Sequence, residues 1–391
     1  MKKNRDLVFF TGGGTAGHIY PGLAVAEQLR NLAEKNGRKL IICWIGSSKG
    51  MDKKIVTSSL SASGKPTVDM FYGIPAGKLR RYFSLKNLSD FFRVIAGFFA
   101  AKHILCKYKP SVLFSKGGFV SVPPCYAAKL LKIPVFTHEC DFSLGLANRL
   151  NFKSAEKMFV SYEETKKRLG PESQEKIIVT GNPVRPVFYS ASAFAGLSFL
   201  NIPVGHEKPI LLVLGGSSGA RQINNLIYEN ISWLCENFIV VHQTGLLNTD
   251  ESRQSEIAPA FKDCYKAFDF IYKEMPDVLA AADIILSRAG ANSLWEAAVL
   301  YKPMVLVPLC GSGTRGDQVD NAEFFKSKNA AEVLLGQEAD SEHLKLSLTN
   351  MLDKDKRNSY SQALKKIVPQ EAPEKAIARL VFEKLSESEE K

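Results

Sequence analysis

The sequence lacks the patterns that mark secreted, membrane-spanning or zinc-dependent proteins. Its seven cysteines are odd in number and never form C-x-x-C, and its six histidines form no H-E-x-x-H. These absences argue against a disulfide framework or a zinc site and favour a reducing compartment. No apolar run reaches the roughly 18 residues that a spanning helix needs. Residues 1–5 are basic, but the apolar run at 7–10 is too short for a secretory signal, so we expect a cytoplasmic protein.

Length and pattern predict two α/β domains. A chain of 391 residues with 45% apolar residues can bury two cores. Strand-like runs alternate with helical stretches such as 23–35, 223–237 and 294–300, which predicts parallel sheets covered on both faces. The order of strand, glycine turn and helix begins at residue 7 and restarts at 210. The predicted strands are 7–10, 40–45, 112–115, 135–137, 158–161, 177–180, 210–214, 238–242, 268–271, 284–287 and 304–307.

The first glycine turn follows the first predicted strand. Gly12, Gly14 and Gly17 satisfy G-x-G-x-x-G, which lets a backbone approach a ligand at a helix N-terminus. A dinucleotide site also needs an acid at the end of the second strand, where residues 44–48 have none; Asp52 lies beyond that strand. This mismatch disfavours NAD and leaves either another ligand or a turn without one. His18 follows the turn, where it can accept a proton or simply cap the helix.

The second glycine turn is GGSSGA at 215–220. Its amides and hydroxyls suit a diphosphate, but it lacks the Gly-Lys-Ser/Thr ending of a P-loop. A domain boundary is expected near GNPVRP at 181–186, where prolines and a glycine interrupt the pattern. In such a pair of open sheets, substrate is expected between the domains at the carboxyl ends of the strands.

Positive charge is concentrated in the first quarter of the chain. Residues 1–110 contain 19 Lys and Arg against 6 Asp and Glu, and the remainder contains 32 against 34. Within this region, residues 75–109 mix phenylalanines with basic residues, as a helix lying on an anionic membrane does. An ordinary core helix with a basic solvent face is the alternative. Nucleic acid is disfavoured, because no aromatic-basic recognition motif accompanies the charge.

Several ordered blocks resemble the MurG family of bacterial N-acetylglucosaminyltransferases. They span about residues 6–335 and are more specific together than any one glycine turn. The blocks are TGGGTAGHIYPGLA at 11–24, GGFVSVP at 117–123, HECD at 138–141 with GLANR at 145–149, GNPVR at 181–185, GGSSGA at 215–220, SRAGA at 287–291 with Glu296, and, in part, DQVDNA at 317–322.

This resemblance implies a GT-B architecture, with two Rossmann-like parallel-sheet domains facing across a cleft. It implies an N-terminal acceptor- and membrane-binding domain at 1–185, onto which a helix at about 370–388 packs back, and a UDP-sugar domain at 186–369. The implied reaction moves N-acetylglucosamine from its UDP form to undecaprenyl-pyrophosphoryl-muramyl-pentapeptide, with inversion and no cofactor or metal. The implied place is the cytoplasmic face of the membrane, as a peripheral protein with other cell-wall synthesis proteins as potential partners.

By motif, the resemblance also assigns residue roles. His18 is the candidate base on the acceptor hydroxyl, and Glu139 is its competitor. Glu296 would bind ribose and the backbone of Ile271 would touch uracil, whereas Arg185 and Ser217 would contact the diphosphate. The full set of implied substrate contacts is Thr15, Ala16, Gly17, Asp141, Arg185, Ser217, Ile271, Gly290, Ala291, Asn292, Ser293, Leu294, Trp295, Glu296, Asp317 and Gln318.

Two departures from the family pattern concern the donor sugar. The family usually has His-Glu-Gln-Asn where this chain has HECD, so the carboxylate of Asp141 replaces an amide. The family also usually has His-Gln or Gln-Gln where this chain has Asp317-Gln318. A carboxylate accepts hydrogen bonds from hydroxyls but cannot donate them. The donor-sugar preference therefore stays open between N-acetylglucosamine, galactose and glucose. Two other functions on the same architecture also remain in view, a glycolipid synthase acting on diacylglycerol and a sugar-nucleotide epimerase.

Overall fold

The strands form two separate parallel sheets, one of seven strands and one of six. The structure, a computed structural model, describes residues 6–78, 85–216, 218–247, 253, 257, 259–311 and 314–387. Unit 1 contains Met1–Pro186 and Pro369–Lys391, and unit 2 contains Val187–Val368. Each is a parallel α/β unit, which confirms the predicted fold class.

Unit 1 has the strand order β3-β2-β1-β4-β5-β6-β7. Its strands are β1 Asp6–Thr11, β2 Leu40–Ser47, β3 Met70–Ile74, β4 Val112–Ser115, β5 Val135–Glu139, β6 Lys157–Val160 and β7 Ile177–Val179. Its helices are α1 Tyr20–Lys35, α2 Asp52–Ser58, α3 Leu85–Tyr108, α4 Val122–Leu130, α5 Leu146–Phe152, α6 Glu163–Lys167, α7 Pro171–Gln174 and α16 Pro373–Glu387, with 3₁₀ turns at Ala16–His18 and Phe119–Ser121.

The core of unit 1 lies on both faces of its sheet, because side chains alternate along each strand. On one face Phe10 stacks on Trp44, with ring centroids 5.9 Å apart. Helices α1 and α16 cover that face, and Ile377 and Val381 of α16 are fully buried there. On the other face Phe9 packs in a cluster with residues of α3 and α4.

Unit 2 has the strand order β10-β9-β8-β11-β12-β13. Its strands are β8 Ile210–Leu214, β9 Ile239–Gln243, β10 Tyr265–Phe268, β11 Ile284–Ser287, β12 Met304–Leu306 and β13 Ala331–Val333. Its helices are α8 Ala193–Leu200, α9 Arg221–Glu229, α10 Ile231–Asn237, α11 Met275–Ala281, α12 Ala291–Val299, α13 Asp317–Ser327, α14 Ser341–Asn350 and α15 Lys354–Ile367, with 3₁₀ turns at Pro186–Ser190 and Gly336–Glu338.

Two predicted elements differ from the structure, and two observed strands were not predicted. The helix expected at 223–237 is two helices, because Asn230 interrupts it and donates its side-chain amide to Leu226 O and Ser341 Oγ, both at 2.8 Å. The strand expected at 268–271 is wrong in position, since β10 ends at Phe268 and the amide of Ile271 donates to the side chain of Gln243. Strands β3 and β13 were not predicted, because one is largely unburied and the other has three residues.

Candidate active site

Three neighbouring strands of unit 1 bring the candidate acid–base residues to one edge of the sheet. Strands β1, β4 and β5 are adjacent and parallel, so the loops that follow them lie side by side. These loops carry Gly12 to Gly14 and the turn ending at His18, then Lys116 to Gly118, then Cys140 and Asp141. The strand order therefore brings His18, Glu139 and Asp141 to one end of the unit 1 sheet.

The first glycine turn is held from inside by a carboxylate. Asp52, at the start of α2, accepts hydrogen bonds from Gly14 N at 2.9 Å and Ser47 N at 2.8 Å. A Cβ at position 13 would lie 1.9 Å from Asp52 Oδ2, so only glycine fits there. From the other side, Trp44 Nε1 donates to Gly12 O at 3.0 Å. The turn is thus preorganised by the protein itself, and its Gly14 amide is already used.

His18 ends the short 3₁₀ turn and packs against the loop after β4. A Cβ at Gly118, whose φ is +80°, would lie 2.9 Å from Cδ2 of the His18 ring. The backbone amide of His18 donates to Thr15 O at 3.1 Å, which closes the turn. Thr15 is exposed, and Ala16, Gly17 and His18 are half-buried. These four residues therefore present partly accessible groups at the rim of the sheet edge.

Glu139 has a different environment. It is 2% exposed, and its carboxylate accepts four hydrogen bonds. Oε1 accepts from the amides of Cys140 and Asp141 at 2.9 and 3.1 Å, and Oε2 accepts from Gly145 N at 2.8 Å and Asn148 Nδ2 at 3.1 Å. A carboxylate so fully engaged organises the loop between β5 and α5 and is poorly placed to take a proton from a substrate.

Asn148 and His138 complete the support of this loop. Asn148 Oδ1 accepts from Thr137 Oγ1 at 3.0 Å, and its amide also donates to His138 O at 2.9 Å. His138 is fully buried and bonds through Nε2 to the carbonyl of Gly181 at 2.9 Å. Burial, and next the charge of Lys116, hold the pKa of His138 well below its usual value, so the ring is neutral and Nε2 is the donor. Asn148 stood in a matched block, yet sequence reasoning gave it no role.

Two further predicted contacts lie in unit 1, Arg185 and Asp141. The first of them is Arg185. Its guanidinium carbon lies 5.1 Å from the centroid of the Tyr20 ring, a cation–π geometry that orients the fork of donors. Asp141 is half-buried directly after the Glu139 turn. Ser217 lies outside the residues that the structure describes.

In unit 2, the loop after β11 leads into helix α12, which begins at Ala291 with Gly290 as its N-cap. Asn292, Ser293 and Glu296 are half-buried. The side chains of Leu294 and Trp295 are buried in the core, where Trp295 meets Phe325 edge-on with centroids 6.1 Å apart. Leu294 and Trp295 therefore anchor the helix, and the groups available to a ligand are the first-turn amides and the polar side chains around them.

Ile271 lies in the loop after β10 and is 2% exposed. Its amide donates to Gln243 Oε1 at 2.9 Å, so a ligand would meet its carbonyl unless Gln243 moves. At the start of α13, Asp317 pairs with Arg315 at 3.1 Å. Gln318 Oε1 accepts from Leu309 N at 2.9 Å, which leaves its side-chain NH₂ for other acceptors.

Sequence reasoning missed two residues that build this end of unit 2. Arg288 Nη1 donates to Gln222 Oε1 and Val307 O, both at 2.9 Å, which ties the loop after β11 to the start of α9 and the end of β12. Asn321 is fully buried and donates to Ala289 O at 3.2 Å. Both lie in matched blocks, Arg288 directly after β11 and Asn321 in helix α13, and that position in a block was the signal that could have suggested them.

One grouping of potential metal ligands occurs in the part of the chain that the structure describes. Glu139, Cys140 and Asp141 each bring one ligand atom within 4.8 Å of the others. Burial raises the pKa of the Cys140 thiol to about 12, and the oxygens of Glu139 already accept four N–H bonds. The sequence also contains a D-x-D at 353–355, where Asp353 caps helix α15 by accepting from Asp355 N at 2.8 Å.

Helix α3 exposes an unusual number of large apolar side chains. Leu88, Phe92, Ile95 and Phe99 recur at helical spacing and are 39 to 63% exposed, with Phe91 beside them. The opposite side is packed closely, since a Cβ at Gly97 would lie 2.3 Å from Pro75 O. No helix among the described residues has both the length and the apolar composition needed to cross a bilayer. Residues 79–84, part of the predicted membrane segment, lie outside the described residues.

Two family models match the chain. Residues 8–160 match the glycosyltransferase family 28 N-terminal domain, and residues 210–380 match the glycosyltransferase family 28 C-terminal domain. The first match lies within unit 1, and the second lies mainly in unit 2. They indicate the same class of protein as the ordered sequence blocks.

Similar proteins support this match. A UDP-N-acetylglucosamine–N-acetylmuramyl-(pentapeptide) pyrophosphoryl-undecaprenol N-acetylglucosamine transferase of Treponema denticola is 55% identical over 85% of this chain and 84% of its own length. A Bacillus cereus transferase of the same name is 40% identical over 95% and 97%. The crystal structure of Acinetobacter baumannii MurG shares the fold, with a TM-score of 0.73 at 22% identity over 97% of this chain and 99% of that one. The chain therefore belongs to the MurG family of glycosyltransferase family 28.

Proposed function

We propose that this chain moves N-acetylglucosamine from UDP-N-acetylglucosamine to the C4 hydroxyl of undecaprenyl-pyrophosphoryl-N-acetylmuramyl-pentapeptide, with inversion at the sugar carbon. The observation that carries the proposal is the 55% identity, over 85% of the chain, to a transferase whose name states this donor and this lipid-linked acceptor. In such a reaction, the acceptor oxygen bonds to the anomeric carbon as the bond to the β-phosphate breaks. The hydroxyl proton passes to a base, and UDP leaves with the electron pair.

We assign the base to His18 rather than to Glu139. His18 is half-buried at the rim of the sheet edge, and histidine takes up a proton near neutral pH. Glu139 is buried and accepts four hydrogen bonds, which supports a role in shaping the loop that carries Asp141. Because a general base contributes about 10²- to 10⁴-fold to the rate, this assignment can be tested by mutation.

Unit 2 would hold the nucleotide at the start of α12. The amides of that first turn and the N-terminal end of the helix dipole favour a diphosphate. Glu296, one turn along, would accept hydrogen bonds from the ribose hydroxyls. Arg288 supports this assignment, because its guanidinium is fixed between Gln222 and Val307 and places a positive charge at the same sheet edge.

The lipid-linked acceptor requires access to a membrane, and α3 supports contact with one. Its exposed Phe92 and Phe99 would enter the headgroup region, with Arg93 beside them. Positive residues in unit 1 would add about 1 kcal/mol each against anionic lipid. The protein would then act as a peripheral enzyme on the cytoplasmic face of the membrane.

The test is turnover by the purified chain. UDP-N-acetylglucosamine labelled in the sugar is mixed with the lipid-linked muramyl acceptor in anionic vesicles, and the lipid fraction and free UDP are measured together. We expect one labelled lipid-linked disaccharide for each UDP released. Transfer to diacylglycerol instead would indicate a glycolipid synthase, and UDP release without a labelled lipid would indicate epimerase or hydrolase chemistry.

A further inference from the structure

Lys116 is a fully buried lysine at the carboxyl end of β4. Its side chain is 0% exposed, and Nζ has no hydrogen-bond partner of normal geometry among the residues that the structure describes. Its backbone amide donates to Thr11 O at 2.8 Å. Burying an ammonium group beside a neutral thiol is unfavourable, so its presence here calls for a compensating charge.

The side chain runs beneath the first glycine turn towards β5. Its Cβ would lie 3.3 Å from a Cβ at Gly12 and 3.6 Å from one at Gly22, so the stem fills the space under the turn and the start of α1. The amine faces the ring of His138 and the thiol of Cys140. His138 is neutral and Cys140 is a thiol at neutral pH, so neither supplies a negative charge.

Two carboxylates lie close to the thiol. The sulfur of Cys140 and one carboxylate oxygen each of Glu139 and Asp141 lie within 4.8 Å of one another. The charge of Glu139 is spread over four N–H donors, whereas Asp141 adds a second negative charge one residue further along. In the family pattern, position 141 usually holds an amide. In this chain, the carboxylate at that position and the buried Lys116 both lie near the Cys140 thiol.

We propose that the buried ammonium of Lys116 is the counter-charge that allows a carboxylate at position 141 to stand beside a diphosphate-bearing substrate. This rests on the proposed function, in which both the donor and the lipid-linked acceptor carry a diphosphate. Lys116 touches neither substrate. It is a positioning residue that offsets one of the two negative charges at the loop after β5, so that an anionic ligand is repelled less.

The experiment is a double-mutant cycle with Lys116→Met, Asp141→Asn and the double variant. Michaelis constants for UDP-N-acetylglucosamine and for the lipid-linked acceptor are measured separately. We expect Lys116→Met to raise one or both constants by about tenfold, because one unopposed charge at this range corresponds to roughly that factor. The kcat should change by less than about threefold, and adding Asp141→Asn should return the Michaelis constant to within about threefold of the parent.

The two Michaelis constants also show which substrate carries the diphosphate that lies beside position 141. A rise for the UDP sugar alone assigns it to the nucleotide, and a rise for the acceptor alone assigns it to the lipid pyrophosphate. Unchanged constants in Lys116→Met, or effects that simply add in the double variant, would overturn the proposal. So would a drop in kcat without a change in either constant, because that would place Lys116 in the chemical step.

If Lys116→Met does not fold, position 141 still provides the test in the parent background. Asp141→Asn should lower the Michaelis constant of the substrate whose diphosphate lies beside position 141, because it removes a negative charge. Asp141→Glu keeps the charge and should not lower that constant. Equal Michaelis constants for the two variants would contradict the proposal. Absence of turnover by the unaltered chain would count against the proposed function instead. The coupling between positions 116 and 141 would then be read in the urea midpoint of unfolding, where additive shifts would again overturn it.

Discussion

The carboxylate of Asp52 and the amide of Gly14 lie 2.9 Å apart, and the other oxygen of Asp52 binds the amide of Ser47. The acid that a dinucleotide site would place at the end of β2 therefore comes from the following helix and faces the glycine turn. The Asp52 carboxylate binds the Gly14 amide, a donor that a pyrophosphate would need, and it places a negative charge next to the turn. We therefore expect unit 1 to bind no NAD, as equilibrium dialysis with labelled NAD can check.

Asp52→Asn should lower the free energy of unfolding by about 1–3 kcal/mol, because one amide hydrogen would face a backbone N–H and leave a buried donor unsatisfied. Urea unfolding measures this. Asp263→Asn, at an exposed position in unit 2, is the control and should change stability little. Equal effects of the two changes would show that the Asp52 bonds do not hold the turn.

His18→Ala should lower kcat by about 10²- to 10⁴-fold while the affinity for the UDP sugar stays close to that of the parent. The reason is that the ring removes the acceptor proton and does not hold the nucleotide. Steady-state rates and calorimetry with UDP-N-acetylglucosamine measure the two quantities. A near-normal rate would transfer the role to Glu139 or to water, and weakened donor binding would make His18 a binding residue.

Glu139→Gln should clearly lower the free energy of unfolding, whereas the kcat of the fraction that remains folded should change little. The substituted NH₂ would face two of the four N–H donors that now bind the carboxylate, at about 1–3 kcal/mol for each unsatisfied group. Urea unfolding and active-site titration separate stability from turnover. Full stability with a large fall in kcat would instead identify Glu139 as the base.

Unit 2 should lose stability as the pH falls below neutrality. Burial lowers the pKa of His242 to about 3, and its ring bonds to Tyr265 Oη at 3.0 Å and Asn224 Oδ1 at 3.1 Å in the neutral form. The unfolded chain takes up a proton near the usual pKa of about 6.5, whereas the folded chain does so only near 3. The stabilisation is therefore complete above that unfolded value and is lost on acidification across this window. Urea unfolding at pH 7.5 and 5 should show a drop that His242→Gln reduces.

Phe92→Glu with Phe99→Glu should release the protein from vesicles containing anionic lipid, because both rings are 61 to 62% exposed on one face of α3. Co-sedimentation measures binding, and turnover with a water-soluble acceptor should be retained. Leu346→Glu, equally exposed but in unit 2, is the matched control and should bind like the parent. If the control dissociates as much as the double variant, α3 is not the membrane contact.

The sequence was most informative where local pattern and burial coincide. Strands such as 210–214 and 284–287 are continuous apolar runs buried on both faces, and their bounds agree with the structure. Met70–Ile74 escaped prediction because it is largely unburied and contains Gly73, so neither alternation nor an apolar run marks it. Position 230 shows a tertiary override, since its side chain bonds across to Ser341 and breaks an otherwise regular helical pattern.

The site was less predictable because its support comes from residues distant in sequence. The motif at 138–141 indicated that Glu139 matters, yet its four hydrogen bonds depend on the turn at Gly145 and on Asn148. The burial of Lys116 follows from the packing of the first glycine turn above it, which no local pattern reveals. Arg288 likewise depends on Gln222 and Val307, which follow other strands of the sheet.

The return of the chain to unit 1 has a consequence for biosynthesis. Ile377, Val381 and Leu385 of α16 fill the same core as Val8 and Phe10 of β1. A ribosome delivers α16 only after all of unit 2, so unit 2 can close its core first while one face of the unit 1 sheet is covered by α1 alone. Unit 1 is thus synthesised first but completes its folding last. Until α16 packs onto it, its exposed apolar surface is open to association with other apolar surfaces.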